Sequence, residues 1–197
     1  MLEGSWYSAG LHPWYIDALN WPQQWEALMQ CSTQSYVLAI GECGLDKVCT
    51  TDFALQQNIF IRHIHLANTL GKPLIIHCVR AYEEVVQLLQ KNQVQVPVIF
   101  HGFNKNKTLA LQLTSKGYYL SFGKALQLPA LQLVLASLPL QQIFLETDDT
   151  ALSIEMVYAL AAQALSIDVN TLSLQIKKNA ATVFGPQGAL RSDVLTI

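Results

Sequence analysis

Four short apolar runs in this chain each deliver a side chain that can bind a cation. Tyr36-Val-Leu-Ala-Ile-Gly leads into Glu42, and Lys72-Pro-Leu-Ile-Ile into His77. Val96-Pro-Val-Ile-Phe leads into His101, and Gln142-Ile-Phe-Leu into Glu146-Thr-Asp148. An acid or imidazole at the end of a buried strand is costly unless something pairs with it. Imidazoles and carboxylates gathered at one rim would suit one or two divalent ions such as zinc, manganese or magnesium. Such an ion lowers the pKa of bound water and clamps a phosphoryl or acyl oxygen. Asp148 would then be a ligand, a base orienting the water, or both.

The elements that must position these groups alternate. Strands are expected near 6–9, 36–41, 73–77, 97–101, 118–122 and 142–147. Helices are expected over 17–34, 51–70, 81–92, 105–115, 131–136, 152–165 and 171–183. This alternation argues for an α/β fold with a parallel sheet. An open doubly wound sheet is one form of it, but polar ends on four separate strands converge more naturally at the C-terminal rim of a closed barrel. Six strands are too few for a regular eight-stranded barrel. Simple alternation puts Leu38, Ile40 and Glu42 on one strand face, as it does Pro73, Ile75 and His77, and Pro97, Ile99 and His101, in a shared interior. Trp21, Trp25, Leu28 and Met29 share helical spacing, with Asn20 as N-cap and Pro22 in the first turn.

With 197 residues, the chain suits a single domain, 1–197, with a large core. Hydrophobic residues make up 51% and charged residues 13%, which fits strands buried on both faces. The net charge of −2 gives no strong field for gathering nucleic acid, so a DNA partner would depend on local Arg and Lys. Cys31, Cys43, Cys49 and Cys78 show no zinc-finger spacing and read as small core residues in a reducing cytoplasm. No signal peptide is visible and no run approaches the length of a membrane helix, so the expected location is cytoplasmic.

Six segments then resemble one family: Gly10-Leu-His-Pro13, Ile40-Gly-Glu-Cys-Gly-Leu-Asp46, Ile75-Ile-His-Cys-Val-Arg80, Phe100-His-Gly-Phe103, Gly117-Tyr-Tyr-Leu-Ser121 and Leu145-Glu-Thr-Asp148. Their order and content are similar to the TatD-type metal-dependent hydrolases, deoxyribonucleases of the amidohydrolase-like superfamily. Asn179-Ala-Ala-Thr-Val-Phe184 resembles that family's closing helix. The resemblance implies a distorted TIM barrel holding one or two divalent metals and cleaving phosphodiesters, with a DNA end or small phosphodiester as substrate. By position, Glu42 resembles the metal-bridging glutamate, His77 and His101 the histidines of one metal, and Asp148 the aspartate at the other metal and the attacking water. The family's opening strand carries a His-x-His pair, and this chain starts after that point. Its own His63-Ile-His65 falls in the predicted helix 51–70, where residues two apart lie about 200° apart around the axis. It is therefore expected to be a solvated pair.

Other residues keep two readings. His12 lines the pocket or braces its turn. Arg80 meets a phosphate or braces Glu42. Lys105, with Lys107, steers a phosphate or simply covers the surface. Asp46 is expected to be structural. Glu146 supports the ligands or is an inward structural acid, and Asp148 has N-capping of the next helix as its plain reading. The function expected is metal-dependent phosphodiester hydrolysis. A related amide or lactone hydrolase, or a catalytically impaired truncated member that only binds metal or a partner, are the alternatives. No obligate protein partner is evident.

Overall fold

The computed structural model describes residues 5–186. The chain divides into two compact units, Met1–Val98 and Ile99–Ile197. Each is an α/β unit of parallel strands, the class expected from the alternation of apolar runs and helices.

In the first unit β1 (Tyr7–Ala9) pairs with β2 (Val37–Asp46), and β2 with β3 (Leu74–Val79), all parallel. Helices α1 (Trp21–Ser32), α2 (Phe53–Leu70) and α3 (Tyr82–Lys91) alternate with them. Leu74 to Cys78 are all buried, as expected of a strand covered on both faces. Helix α2 starts where the Asp52 carboxylate accepts from the Leu55 N–H and stops at Gly71 in left-handed conformation, φ 64°. Its core face is Ile59, Phe60, Ile64 and Ala67.

Three local expectations are corrected here. Helix α1 is shorter than 17–34, because Asp17 closes a turn before it by accepting from the Leu19 N–H and the Asn20 side chain. Asn20 therefore makes no side-chain cap. The buried stripe is Trp25, Leu28 and Ser32, while Met29 is exposed. Cys43 and Cys78 are core residues, but Cys31 is exposed.

The third correction concerns β2, which does not end at Glu42 but runs on to Asp46 with a bulge in it. Ile40 pairs with Leu74, then Cys43 with Ile76 and Gly44 with His77. Ile40 therefore shares a face with Leu74, not with His77, because paired residues on parallel strands point the same way. An unbroken strand would send Glu42 to the face opposite His77. One extra residue between Ile40 and Cys43 reverses the alternation and returns Glu42 to the His77 side. The close approach of β2 and β3 beyond the bulge requires glycine: a Cβ on Gly44, at φ 141°, would lie 2.1 Å from the His77 carbonyl oxygen.

In the second unit β4 (Val98–Phe100) pairs with β5 (Tyr119–Phe122), and β5 with β6 (Ile143–Leu145), again parallel. Helices α4 (Lys107–Ser115), α5 (Pro129–Leu135), α6 (Ile154–Leu165) and α7 (Val169–Phe184) complete it. Phe100, Phe103, Phe122 and Phe144 are fully buried and fill its core. Buried Asn179 of α7 donates to the carbonyls of Leu140 and Ile143, tying the last helix to the start of β6. Ser153, not Asp148, caps α6. No helix among the described residues is long and apolar enough to cross a membrane.

Candidate metal centres

Each unit gathers one cluster of cation-binding side chains where its strands end. In the first, His12, Glu42 and His77 offer ligand atoms all within 4.8 Å of one another. The turn after β1 supplies His12, the bulge of β2 supplies Glu42, and the second half of β3 supplies His77. Gly10 lets the turn approach, since a Cβ there would lie 2.5 Å from the Gly41 Cα.

His12 is fixed through Nδ1 and faces an acid with Nε2. Its Nδ1 accepts from the Trp14 N–H at 3.1 Å, and its Nε2 faces Glu42 Oε2 at 3.7 Å. The neutral ring therefore carries its proton on Nε2, pointing a donor at the carboxylate. One nitrogen thus braces the turn and the other faces Glu42.

Asp46, one step past the site on β2, organises its surroundings. The residue is 2% exposed. Oδ2 accepts from His77 Nε2 at 3.0 Å and from Trp14 Nε1 at 2.7 Å, while Oδ1 accepts from the Val48 and Cys49 N–H groups. Burial acts to raise its pKa, but the hydrogen bonds from His77, Trp14 and Val48 outweigh that and hold it below the usual carboxylate range. With Nε2–H given to Asp46, the lone pair of His77 lies on Nδ1, the arrangement that orients a histidine toward a metal. Gln56 of α2 fixes Asp46 in turn, accepting from its N–H at 2.8 Å and donating to its carbonyl at 3.0 Å.

His63 overturns the solvated pair expected on α2. It is 0% exposed, packed edge-on against Trp25. Nδ1 lies 2.8 Å from the Ile59 carbonyl and Nε2 accepts from the Leu11 N–H at 3.0 Å. These partners require a neutral ring with its proton on Nδ1. Burial pushes its pKa down to about 4, against the opposing effect of the Ile59 hydrogen bond. His65 is exposed, so the two rings do part around the helix, but one of them enters the core.

In the second unit, His101, Glu146 and Asp148 form the other cluster, again with ligand atoms within 4.8 Å. His101 follows β4, and the two acids follow β6. His101 Nδ1 lies 3.8 Å from Glu146 Oε1, which also accepts from the Gly102 N–H at 2.6 Å. Glu146 is 1% exposed, and its Oε2 has no hydrogen-bond partner among the described residues. Gly123 packs over it, where a Cβ would come within 3.2 Å of Glu146 Cγ. Asp148 is exposed, on a left-handed backbone at φ 50°.

Among the remaining expected residues, Arg80 is exposed at φ 54°, and Lys105 is half-buried. Trp14 was not singled out from sequence; its place beside the Gly-Leu-His-Pro turn was the available signal.

Residues 2–185 match the TatD related DNase family along nearly the whole chain. The chain belongs to that family. A protein of Buchnera aphidicola subsp. Baizongia pistaciae named as an uncharacterized metal-dependent hydrolase is 32% identical over 151 residues, 74% of this chain and 56% of that protein. The 3'-5' ssDNA/RNA exonuclease TatD of Cronobacter sakazakii is 32% identical over 157 residues, 74% of this chain and 57% of its own length. The chain thus spans less than two thirds of the length of these relatives. Among solved structures, the TatD homologue YJJV from Escherichia coli matches with a TM-score of 0.82 at 23% identity, over 91% of this chain and 76% of that one. A TatD family hydrolase from Entamoeba histolytica matches at 0.79 and 17% identity, over 91% and 74%. The fold is therefore that of TatD proteins.

Proposed function

We propose that this chain is a metal-dependent hydrolase that cleaves phosphodiester bonds, with the end of a single-stranded nucleic acid as its substrate. The observation that carries the reading is the pair of imidazole–carboxylate clusters at the ends of parallel strands. The donors fit a divalent ion of the magnesium, manganese or zinc kind, and the buried Glu146 Oε2, without a hydrogen-bond partner among the described residues, is an oxygen that a cation would satisfy. The names of relatives point the same way.

In this reading Glu42 and His77 hold an ion in the first unit, and His101, Glu146 and Asp148 hold one in the second. A bound ion supplies an activated water and charge compensation at the phosphoryl oxygens. Asp148, the exposed member, would orient the attacking water and accept its proton at a carboxylate oxygen. His12 is better suited to donate from Nε2 to an anionic oxygen than to bind a cation, since ligation through Nε2 would cost it the Trp14 hydrogen bond. Asp46 fixes the ring of His77. In this reading Arg80 and Lys105, exposed and half-buried, meet the phosphates of the arriving substrate. The expected location is cytoplasmic.

The test is incubation of end-labelled single-stranded DNA and RNA with the chain and Mg, Mn or Zn, beside Glu42→Ala. Stepwise shortening that needs metal and is lost in the variant supports the reading. Turnover of amides or lactones alone, or equal behaviour of the variant, overturns it.

A further inference from the structure

We infer that Trp14 and Tyr15 form a stacking platform for a nucleobase of the substrate, next to the first cluster. This deepens the function just proposed and rests on it. The two rings are 56% and 70% exposed, which is unusual for large aromatic side chains standing together. They follow His12 in a short 3-10 turn begun by Pro13, and the His12 side chain caps that turn. Ring centroids lie 4.9 Å apart for His12 and Trp14, 5.6 Å for His12 and Tyr15, and 5.6 Å for Trp14 and His77. The exposed rings are thus in contact with the imidazoles of the candidate centre.

The indole is also fixed. Its one polar atom, Nε1–H, is spent inward on buried Asp46 Oδ2 at 2.7 Å. The same carboxylate holds His77. One group therefore sets the position of a cluster imidazole and of the exposed ring together. A ring immobilised before binding loses little freedom when a flat partner stacks on it.

Charge favours a base as that partner. Twelve Lys and Arg stand against fourteen acids, so the chain has no broad positive field to gather a phosphate backbone. Stacking on aromatic rings is the other main source of affinity for single strands, and it tolerates any sequence because every base presents a π-face.

The experiment compares two oligonucleotides in EDTA, which prevents cleavage. One carries 2-aminopurine in its 3′-terminal stretch, and the other is abasic over the same three positions; affinity is read by anisotropy and stacking by 2-aminopurine quenching. In the wild-type chain, loss of the bases is expected to weaken binding about tenfold. In Trp14→Leu, which leaves only Tyr15, most of that loss should disappear and the quenching should fall. Trp14→Phe keeps a ring but drops the bond to Asp46, and it should retain the dependence on the bases. If base removal costs the wild type and Trp14→Leu equally, or if Trp14→Phe behaves as Trp14→Leu does, the platform is wrong. If Trp14→Leu alters self-association but not oligonucleotide affinity, the rings serve a protein contact and the inference falls. Absence of any oligonucleotide binding by the wild type in EDTA would overturn the platform alone, since the nuclease reading is judged by cleavage with metal present.

Discussion

The cluster of the first unit is held by the protein, whereas that of the second leaves a buried oxygen without a partner among the described residues. Around His77, Asp46 satisfies the ring and is itself satisfied by Trp14, Val48 and Cys49. Around His101, Glu146 Oε1 faces His101 and accepts from the Gly102 N–H, and Oε2 has no hydrogen-bond partner among the described residues. A buried carboxylate oxygen left unpaired costs about 1–3 kcal/mol or more. The first cluster is therefore arranged without an ion, and the second keeps a buried oxygen that a cation would satisfy. The difference shows that similar ligand sets need not be equally preorganised, and that the hydrogen-bond inventory reveals which is which.

The largest effect should come from the exposed acid of the second cluster. Asp148→Asn keeps the shape and removes the base, and is expected to lower the hydrolysis rate about 10²–10⁴-fold in single-turnover assays. A rate within a factor of two of wild type would move the proton transfer elsewhere.

Acid should act on the first unit. The folded chain protonates His63 only near pH 4, whereas the unfolded chain does so near 6.5. The unfolded state thus binds more protons between these values, and stability falls as pH drops through that window. The loss should reach about 3 kcal/mol in denaturant melts. Exchange at the Leu11 N–H should accelerate in parallel. In His63→Leu the slope should flatten; a slope unchanged by that substitution would assign the acid sensitivity to other groups.

Metal should act most strongly on the second. At a hundredfold excess over Kd, a bound ion stabilises by about 2.7 kcal/mol, or about 5–10 °C for a chain of this size. Hydrogen exchange sharpens the contrast. The ion should protect the Gly102 N–H, which Glu146 holds, more than the Val48 N–H, which Asp46 already holds. Equal protection at both would erase the distinction drawn between the two centres.

The smallest effect expected is that of Asp46→Asn, about 10–100-fold in metal affinity by calorimetry. An affinity equal to wild type would mean that His77 is oriented by other contacts.

The strand ends that carry the two clusters were legible because each apolar run stops at a residue that apolar burial cannot explain. Glu146 was left between two readings, since alternation reports its direction but not whether its oxygens find partners. His63 was misread because spacing on a helix shows that two rings diverge, not which of them meets the core. Its bond to the Leu11 N–H links residues 52 apart in the chain, beyond the reach of local pattern. Asp46 read as structural, and its hydrogen bonds agree, but they also reach a cluster imidazole.

The bulge of β2 has an evolutionary and engineering consequence. Up to Ile40 the strand obeys one parity, and from Cys43 onward the other, so the placement of Glu42 is encoded in residue count as well as residue type. Deleting a single position there would preserve every chemically active side chain in the chain while turning the glutamate toward the wrong layer. Alignments or designs that tolerate a one-residue gap in this strand would keep the apparent motif and lose the geometry.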